Sequence, residues 1–417
     1  MRIPFIPLLA VSLMSFSVMP TQSVAAGIKL TTDVTEPAND HFGVDVATNG
    51  SLVAVAANNE TVDENTTGSV HIFDTAGNRI RKIHATNTRK FGDAIAFDNN
   101  TILVGDSSSN VHDFNAGAVY VFDVNGNQQQ ILTASDGESF DKFGSAIDAY
   151  NGKAIIGASY KDGPDLHDSW FGAAYIFDTT TGNQLYSLRA SDADKTDHFG
   201  NAVAISSNTA IVGAYSNNDN GAASGSAYLF DLATGNQISK ITASDAAEGD
   251  WFGHAVAISE KYALVGAHND DNGNGQKAGA VYVFDHNGNE LQKLIASDGN
   301  FADNFGSSIA IAGDYALIGA YFDDNGFSTA HGSAYLFNLE TGEELAKIIG
   351  NQDSSFFAET LDFAGDTLII GSDVVGANGT AYLYNINTIP EPATALLFSL
   401  TAIPFLSRKR TRHNSLS

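Results

Sequence analysis

The stretch Phe252-Gly253-His254-Ala255-Val256-Ala257-Ile258-Ser259-Glu260-Lys261-Tyr262-Ala263-Leu264-Val265-Gly266-Ala267 decides the fold. Ala255 to Ile258 and Tyr262 to Ala267 are short and apolar. A tight polar turn parts them, which predicts two antiparallel strands. A polar loop follows, then Gly279-Ala280-Val281-Tyr282-Val283-Phe284-Asp285 as a third strand. The turn at Asn287-Gly288 leads to a fourth, Leu291 to Ile295. Ala296-Ser297-Asp298 closes the unit, and the chain runs on into the next Phe-Gly.

The unit recurs along the chain, as Phe42-Gly43, Phe91-Gly92, Phe143-Gly144, Phe199-Gly200, Phe252-Gly253, Phe305-Gly306 and a degenerate Phe357-Ala358. The spacings are 49, 52, 56, 53, 53 and 52 residues, and no stretch between them keeps a helical period. Third strands such as Val281 to Phe284 are apolar on both faces, as a strand covered on both sides must be. Four antiparallel strands per unit, repeated seven times, predict an all-β chain folded as a seven-bladed β-propeller. The termini favour a closed ring over an open solenoid. The seventh unit ends after its third strand, while Ile28 to Thr32 precede the first unit like the end of a fourth strand. That spare N-terminal strand is expected to pair around Thr380 to Tyr384, close the last blade and leave no open sheet edge.

Phe-Gly followed by Val212-Gly213-Ala214, Val265-Gly266-Ala267 or Ile318-Gly319-Ala320 resembles the FG-GAP repeat of integrin α-subunit propellers, and more closely that of bacterial FG-GAP proteins. The resemblance covers nearly the whole chain between its ends and is specific for fold rather than function. The Phe is expected to wedge between blades and the Gly to let neighbouring backbones approach. The calcium loops of integrin repeats lie between the first and second strands. Here that connection is only a tight turn, as at Ser259-Glu260-Lys261, so those sites do not carry over.

Both ends read as sorting sequence. Arg2 precedes an apolar run from Ile3 to Met19 and then small residues to Ala26, so residues 1–26 are expected to be a secretory signal peptide. Residues 390–417 carry Pro390, Glu391 and Pro392, an apolar run, then Arg408, Lys409 and Arg410. The order resembles the PEP-CTERM signal of Gram-negative bacteria. That resemblance implies an exosortase-type processing enzyme, transient anchoring in the inner membrane and delivery to the cell surface or the medium. A plain tail anchor is the alternative. The propeller would then occupy residues 27–389.

The chain has 417 residues, no cysteine and a formal charge of −27. Disulfides, thiolate metal sites and a cysteine nucleophile are excluded. The charge disfavours nucleic acid and anionic membrane as partners. The acidic residues gather in two loop families, between the second and third strands and between blades, and these families are expected to share one face of the disc. Asp219, Asp270, Asp271, Asp323 and Asp324 are the candidate calcium ligands there, since carboxylates in Gly-containing loops suit Ca²⁺. The competing reading is turn chemistry, which also favours Asp and Asn. The Asp preceding each Phe-Gly (Asp141, Asp250, Asp303) reads as a turn cap.

Catalytic signatures are not found in the sequence: it holds no His-Glu-x-x-His, no Gly-x-Ser-x-Gly and no phosphate loop. His41 and His198 share one repeat position, which reads as structural. Asp165, His167, Asp168, Ser169 and Trp170 make the third unit's loop unusual, as a ligand site or as a variable insertion. The second-to-third-strand loops vary most between units. Their aromatics, Trp170, Tyr160, Tyr215, Tyr321 and Phe327, can stack on sugar rings if exposed and are only core if buried. The expectation is an exported, non-enzymatic binding or matrix protein. The resemblance to PEP-CTERM proteins implies exopolysaccharide and biofilm, with polysaccharide or a surface protein as partner. A polysaccharide hydrolase or lyase and a calcium-dependent adhesin are the alternatives.

Overall fold

In the computed structural model, residues 27–32, 40–162, 169–325, 331–350, 356–372 and 379–389 are described. The expected signal peptide, the sorting motif from Pro390 to Arg410, and Phe327 lie outside them.

The predicted stretches form strands. The quoted unit gives Ala255–Ile258, Ala263–Ala267, Ala280–Phe284 and Glu290–Leu294, paired in chain order as one antiparallel sheet. Seven such four-stranded sheets are present, the blades of a seven-bladed propeller. Blade 7 is composite. Its strands Thr360–Ala364, Thr367–Ser372 and Thr380–Asn385 are completed on the outside by Ile28–Leu30. The register sets Ile28 opposite Leu383, Lys29 opposite Tyr382 and Leu30 opposite Ala381. The ring closes as the sequence predicts. Blade 1 departs from the pattern. Its second and third strands, Leu52–Asp63 and Thr66–Asp74, run on as a bulged hairpin where the other blades have a loop.

The core lies between blades. Phe252 packs edge-on against Tyr282 and Phe284 of its own blade, at 5.5 and 6.0 Å between ring centroids. It shares a buried cluster with Ile211 and Leu229 of blade 4, so it is the wedge its repetition predicts. The two glycines of the motif meet across the same joint. Gly253 donates its N–H to Gly266 O at 3.0 Å within blade 5. A methyl on Gly213 of blade 4 would overlap the carbonyl oxygen of Gly253, so two main chains touch where a Cβ has no room.

First strands line a central channel of about 770 Å³. An inner strand has no partner on its channel side, and side chains of the neighbouring blade meet some of its N–H groups. Asp45 accepts from Ile95 N at 2.6 Å, Asp148 from Ile205 N at 2.8 Å and Asp362 from Thr48 N at 2.7 Å, and Asp98 accepts from Gly152 N, in the turn that follows the inner strand of blade 3, at 2.7 Å.

Candidate ligand-binding face

The two loop families share one face, as expected, because they hydrogen-bond to each other. Trp251 N donates to Ala223 O, His198 N to Trp170 O and Phe140 N to Phe114 O. The Asp before Phe-Gly caps the turn leading into it. Asp141, Asp197, Asp250 and Asp303 accept from Glu138, Asp194, Ala247 and Asn300 N at 2.6–2.9 Å. Acidity is not confined to this face. On the opposite one, Asp74, Asp123, Asp178, Asp231 and Asp285 end their third strands and accept from hairpin N–H groups. Turn geometry demands such a residue on both sides of the disc.

The candidate calcium ligands fall into two groups. Asp270 is buried, and its Oδ2 takes Tyr282 Oη at 2.7 Å and Lys293 Nζ at 2.9 Å. Lys293 also reaches Asp245, in the loop leaving blade 4, at 2.8 Å, and the single phenolic proton of Tyr282 is shared between Asp270 and Asp245, whose Oδ1 lies 2.6 Å away. Blade 6 repeats the arrangement with Tyr335, Lys347, Asp323 and Asp298; in blade 4 Tyr228 and Lys240 hold Asp192, Asn217 stands at the Asp270 position, and Lys240 also pairs with the more exposed Asp219. The charge that a calcium ion would neutralise at Asp219, Asp270 and Asp323 is therefore met by lysine. Asp271 and Asp324 are exposed, and Asp271 accepts from Lys277 N. Among the described residues, no group of three or more His, Asp or Glu is arranged to hold a metal ion.

Substitutions within this lock keep its charge balanced. Blade 1 sets Glu60, His71 and Lys82 where blade 5 has Asp270, Tyr282 and Lys293. Burial alone would raise the Glu60 carboxyl, but bonds from His71, Lys82 and Ser69 hold it down at about 2. Blade 3 reverses the sign: Lys161 stands at the Asp270 position and pairs with Asp141 at 2.9 Å. Ser69, His71 and Glu60 contain the residue types of a nucleophilic triad, but not its geometry. Ser69 Oγ and Glu60 Oε2 both meet His71 Nε2, at 3.2 and 2.9 Å. A relay needs them on opposite ring nitrogens.

The predicted aromatics divide as follows. Tyr160 and Trp170 are exposed, at 42% and 38%, and Tyr215 and Tyr321 are half-buried. Three of them belong to a larger array that sequence reasoning missed. Tyr160 and Trp170 both contact His198, at 5.3 and 5.7 Å. His198 stacks on Tyr215 at 5.4 Å with an 11° tilt, and Tyr215 contacts Trp251 at 5.5 Å. Trp251 stacks on His254 at 6.1 Å and contacts His268 at 5.3 Å. The strip crosses blades 3, 4 and 5 and ends at His254, on the channel wall. Tyr321 stands apart, with Phe322 and Phe356. Burial lowers the proton affinity of the histidines: His254 to about 4, His268 to about 3, and His198 in the same direction. At neutral pH the strip carries no charge of its own.

The strip is built from two columns of the repeat. The residue before Phe-Gly is His198 in blade 4 and Trp251 in blade 5, and both hold φ near +55°. The same position is Lys142 in blade 3 and Asn304 in blade 6. The residue after Gly-Ala is Tyr215 in blade 4 and His268 in blade 5, but Ser159 in blade 3. Reading down these columns would have exposed the strip. Reading along the chain does not.

The FG-GAP repeat profile matches residues 127–177, 183–230, 236–284 and 289–337. Each match runs from one blade's fourth strand or its leading turn through the next blade's third strand, so each spans an inter-blade joint. The chain thus carries FG-GAP repeats, and the strip lies inside the matched region. A search of the curated proteins finds no match.

Proposed function

We propose that this seven-bladed propeller of FG-GAP repeats is an exported, non-catalytic binding protein. Its ligand, an extracellular polysaccharide or a surface protein, sits on the face that carries the aromatic strip. The carrying observation is the uncharged aromatic array from Tyr160 to His254, exposed at Tyr160 and Trp170 and partly open at His198, Tyr215, Trp251 and His254, across three blades of an otherwise acidic molecule. Exposed contiguous apolar surface marks interaction sites, and Trp and Tyr dominate binding energy where they occur. The opposite face offers short hairpins stitched by their own Asp side chains. Export rests on the residue order of the two ends, with the tail processed at Pro390 to Pro392.

Retention tests the reading. In the cell that makes the protein, Tyr160→Ala with Trp170→Ala is expected to shift it from the surface or matrix fraction to free protein. Thr234→Ala with Thr341→Ala, on the opposite hairpins, is expected to leave it in place. The reverse pattern overturns the assignment.

A further inference from the structure

The strip breaks the symmetry of the repeat, and the break is not required by the fold. In blades 1 and 2 the residue before Phe-Gly is His41 or Lys90, and the residue after the second-strand motif is Asn58 or Ser107. Blade 2 closes with polar side chains at both columns, and blade 1 has a ring at the first column only. Blades 4 and 5 fill both columns with rings, and blade 3 adds Tyr160 and Trp170 from the two ends of its longer second-to-third-strand loop. Backbone conformation sharpens the point. Trp170, His198 and Trp251 hold φ of +42°, +55° and +58°, a region that bulky residues avoid and asparagine tolerates. Asn304 takes it in blade 6 with φ +59°. His41, Lys142 and Phe356 take it as well, so the fold sets this backbone and leaves the side chain free to vary, and rings placed there and partly open to solvent point to a ligand.

The chemistry of the strip selects among ligands. Its members are Tyr, Trp and His, and burial keeps the histidines neutral. The loops that carry it add Asp162, Asp194, Asp219, Glu248 and Asp271, against Lys195 and Lys277. Uronate, sulfate or phosphate groups would meet repulsion there, in a molecule of charge −27. Tyr160 and Trp170 are exposed and Tyr215 and Trp251 partly so, which leaves aromatic surface open to a weakly polar partner. We propose that the strip is a stacking platform for an uncharged polysaccharide, whose sugar rings lie over Trp170, Tyr215 and Trp251 and run toward the channel mouth at His254. The proposal rests on the ligand-face reading above and adds the substrate class.

Both tryptophans of the chain, Trp170 and Trp251, lie in the strip, so tryptophan emission reports on it directly. The test titrates the purified full-length protein with three soluble polymers: an uncharged glucan, a uronate chain and a chitosan. The expected result is an emission shift with the glucan, weakened at least about tenfold by Tyr215→Ser, the residue blade 3 carries at that column. Trp251→Asn, which copies the residue blade 6 carries at Asn304, is expected to weaken glucan binding similarly in a pull-down. Trp251→Phe is expected to stay within about threefold of the parent. Melting curves matching the parent exclude unfolding as the cause, and a variant that melts early is replaced by His198→Asn. Strip-dependent binding of the uronate chain or chitosan in place of the glucan overturns the uncharged class and leaves the ligand face standing. Binding of no polymer, or glucan binding unchanged by these replacements, overturns the proposal. Loss caused only by Thr234→Ala with Thr341→Ala overturns the ligand-face reading as well.

Discussion

Tyr282 in the third strand of blade 5 donates to Asp245, which sits in the loop leaving blade 4, at 2.6 Å. Lys293 bridges the same carboxylate and the buried Asp270, so two side chains of one blade, both anchored on Asp270, grip the connection from the blade before. Burial would raise Asp245, yet Lys293 and Tyr282 together hold it below the usual carboxylate range. Burial and the Asp245 carboxylate push the Tyr282 phenol up, so it stays a donor at any physiological pH.

Removing the cation should therefore open the joint. Lys293→Met leaves Asp270 buried with its charge unmet, and the expected loss is about 3 kcal/mol in denaturant titration. Adding Asp270→Asn should recover part of that loss. A loss below about 1 kcal/mol for the single variant would mean that Asp270 relaxes to solvent.

The Phe-Gly glycine has two constraints, and they can be separated. Gly253 holds φ +91°, and a methyl there would overlap the carbonyl oxygen of Ser226. Gly249 holds φ +85° with nothing within 4 Å of an added Cβ. Gly249→Ala is expected to cost about 1 kcal/mol from backbone strain, and Gly253→Ala roughly 2–5 kcal/mol because overpacking is added. Equal losses would show that the blades do not meet as closely as described.

Closure is testable at one side chain. Leu30 is buried against Val53, Phe73 and Leu383, while Lys29 is exposed. Leu30→Ala should lower stability by about 2–4 kcal/mol, and Lys29→Ala by little. Deleting residues 27–32 should expose the edge of Thr380–Asn385 and promote association. An unchanged melting temperature after that deletion would rule out the seal.

The channel carboxylates set a pH dependence. Burial, with Asp362 nearby, raises Asp45 and Asp148 to about 7, and burial raises Asp362 to about 6. An unfolded carboxyl titrates near 3.9, so between roughly pH 4 and 7 the folded chain holds protons that the unfolded chain has released. This contribution is complete below about pH 4 and is lost as pH rises through 7. Glu60, held at about 2, works the other way, and its contribution is lost below about pH 4. Melting temperature should therefore rise from pH 8 to pH 5. Asp148→Asn should raise it at pH 8 and flatten that slope. A steeper slope in the variant would contradict the assignment.

The fold was legible because one physical demand repeats. Each joint needs a Phe wedge and two glycines, so Phe252, Gly253 and Gly266 recur in step, and the unpaired strand at Ile28–Leu30 announces closure. The lock was half legible. Asp270 and Asp323 stood out as acidic loops, but Lys240, Lys293 and Lys347 sit in another strand, and only the folded blade brings them together. The strip was least legible. His198 and Trp251 are 53 residues apart and each touches Tyr215, because adjacent blades set equivalent positions side by side. Sharing a repeat position with His41 made His198 read as structural, whereas its column holds different residues in different blades.

The composite seventh blade also orders events in time. Ile28–Leu30 is made before blades 1 to 6, and its partner Thr380–Asn385 after them. Until that partner arrives, blades 1 to 6 can stack only as an open arc, with an apolar side chain at Leu30 and an unpaired sheet edge at the far end. Such edges recruit other chains. A cell that makes this protein must shield the arc while blades 1 to 6 are made, and the propeller becomes self-sufficient only once Thr380–Asn385 has emerged.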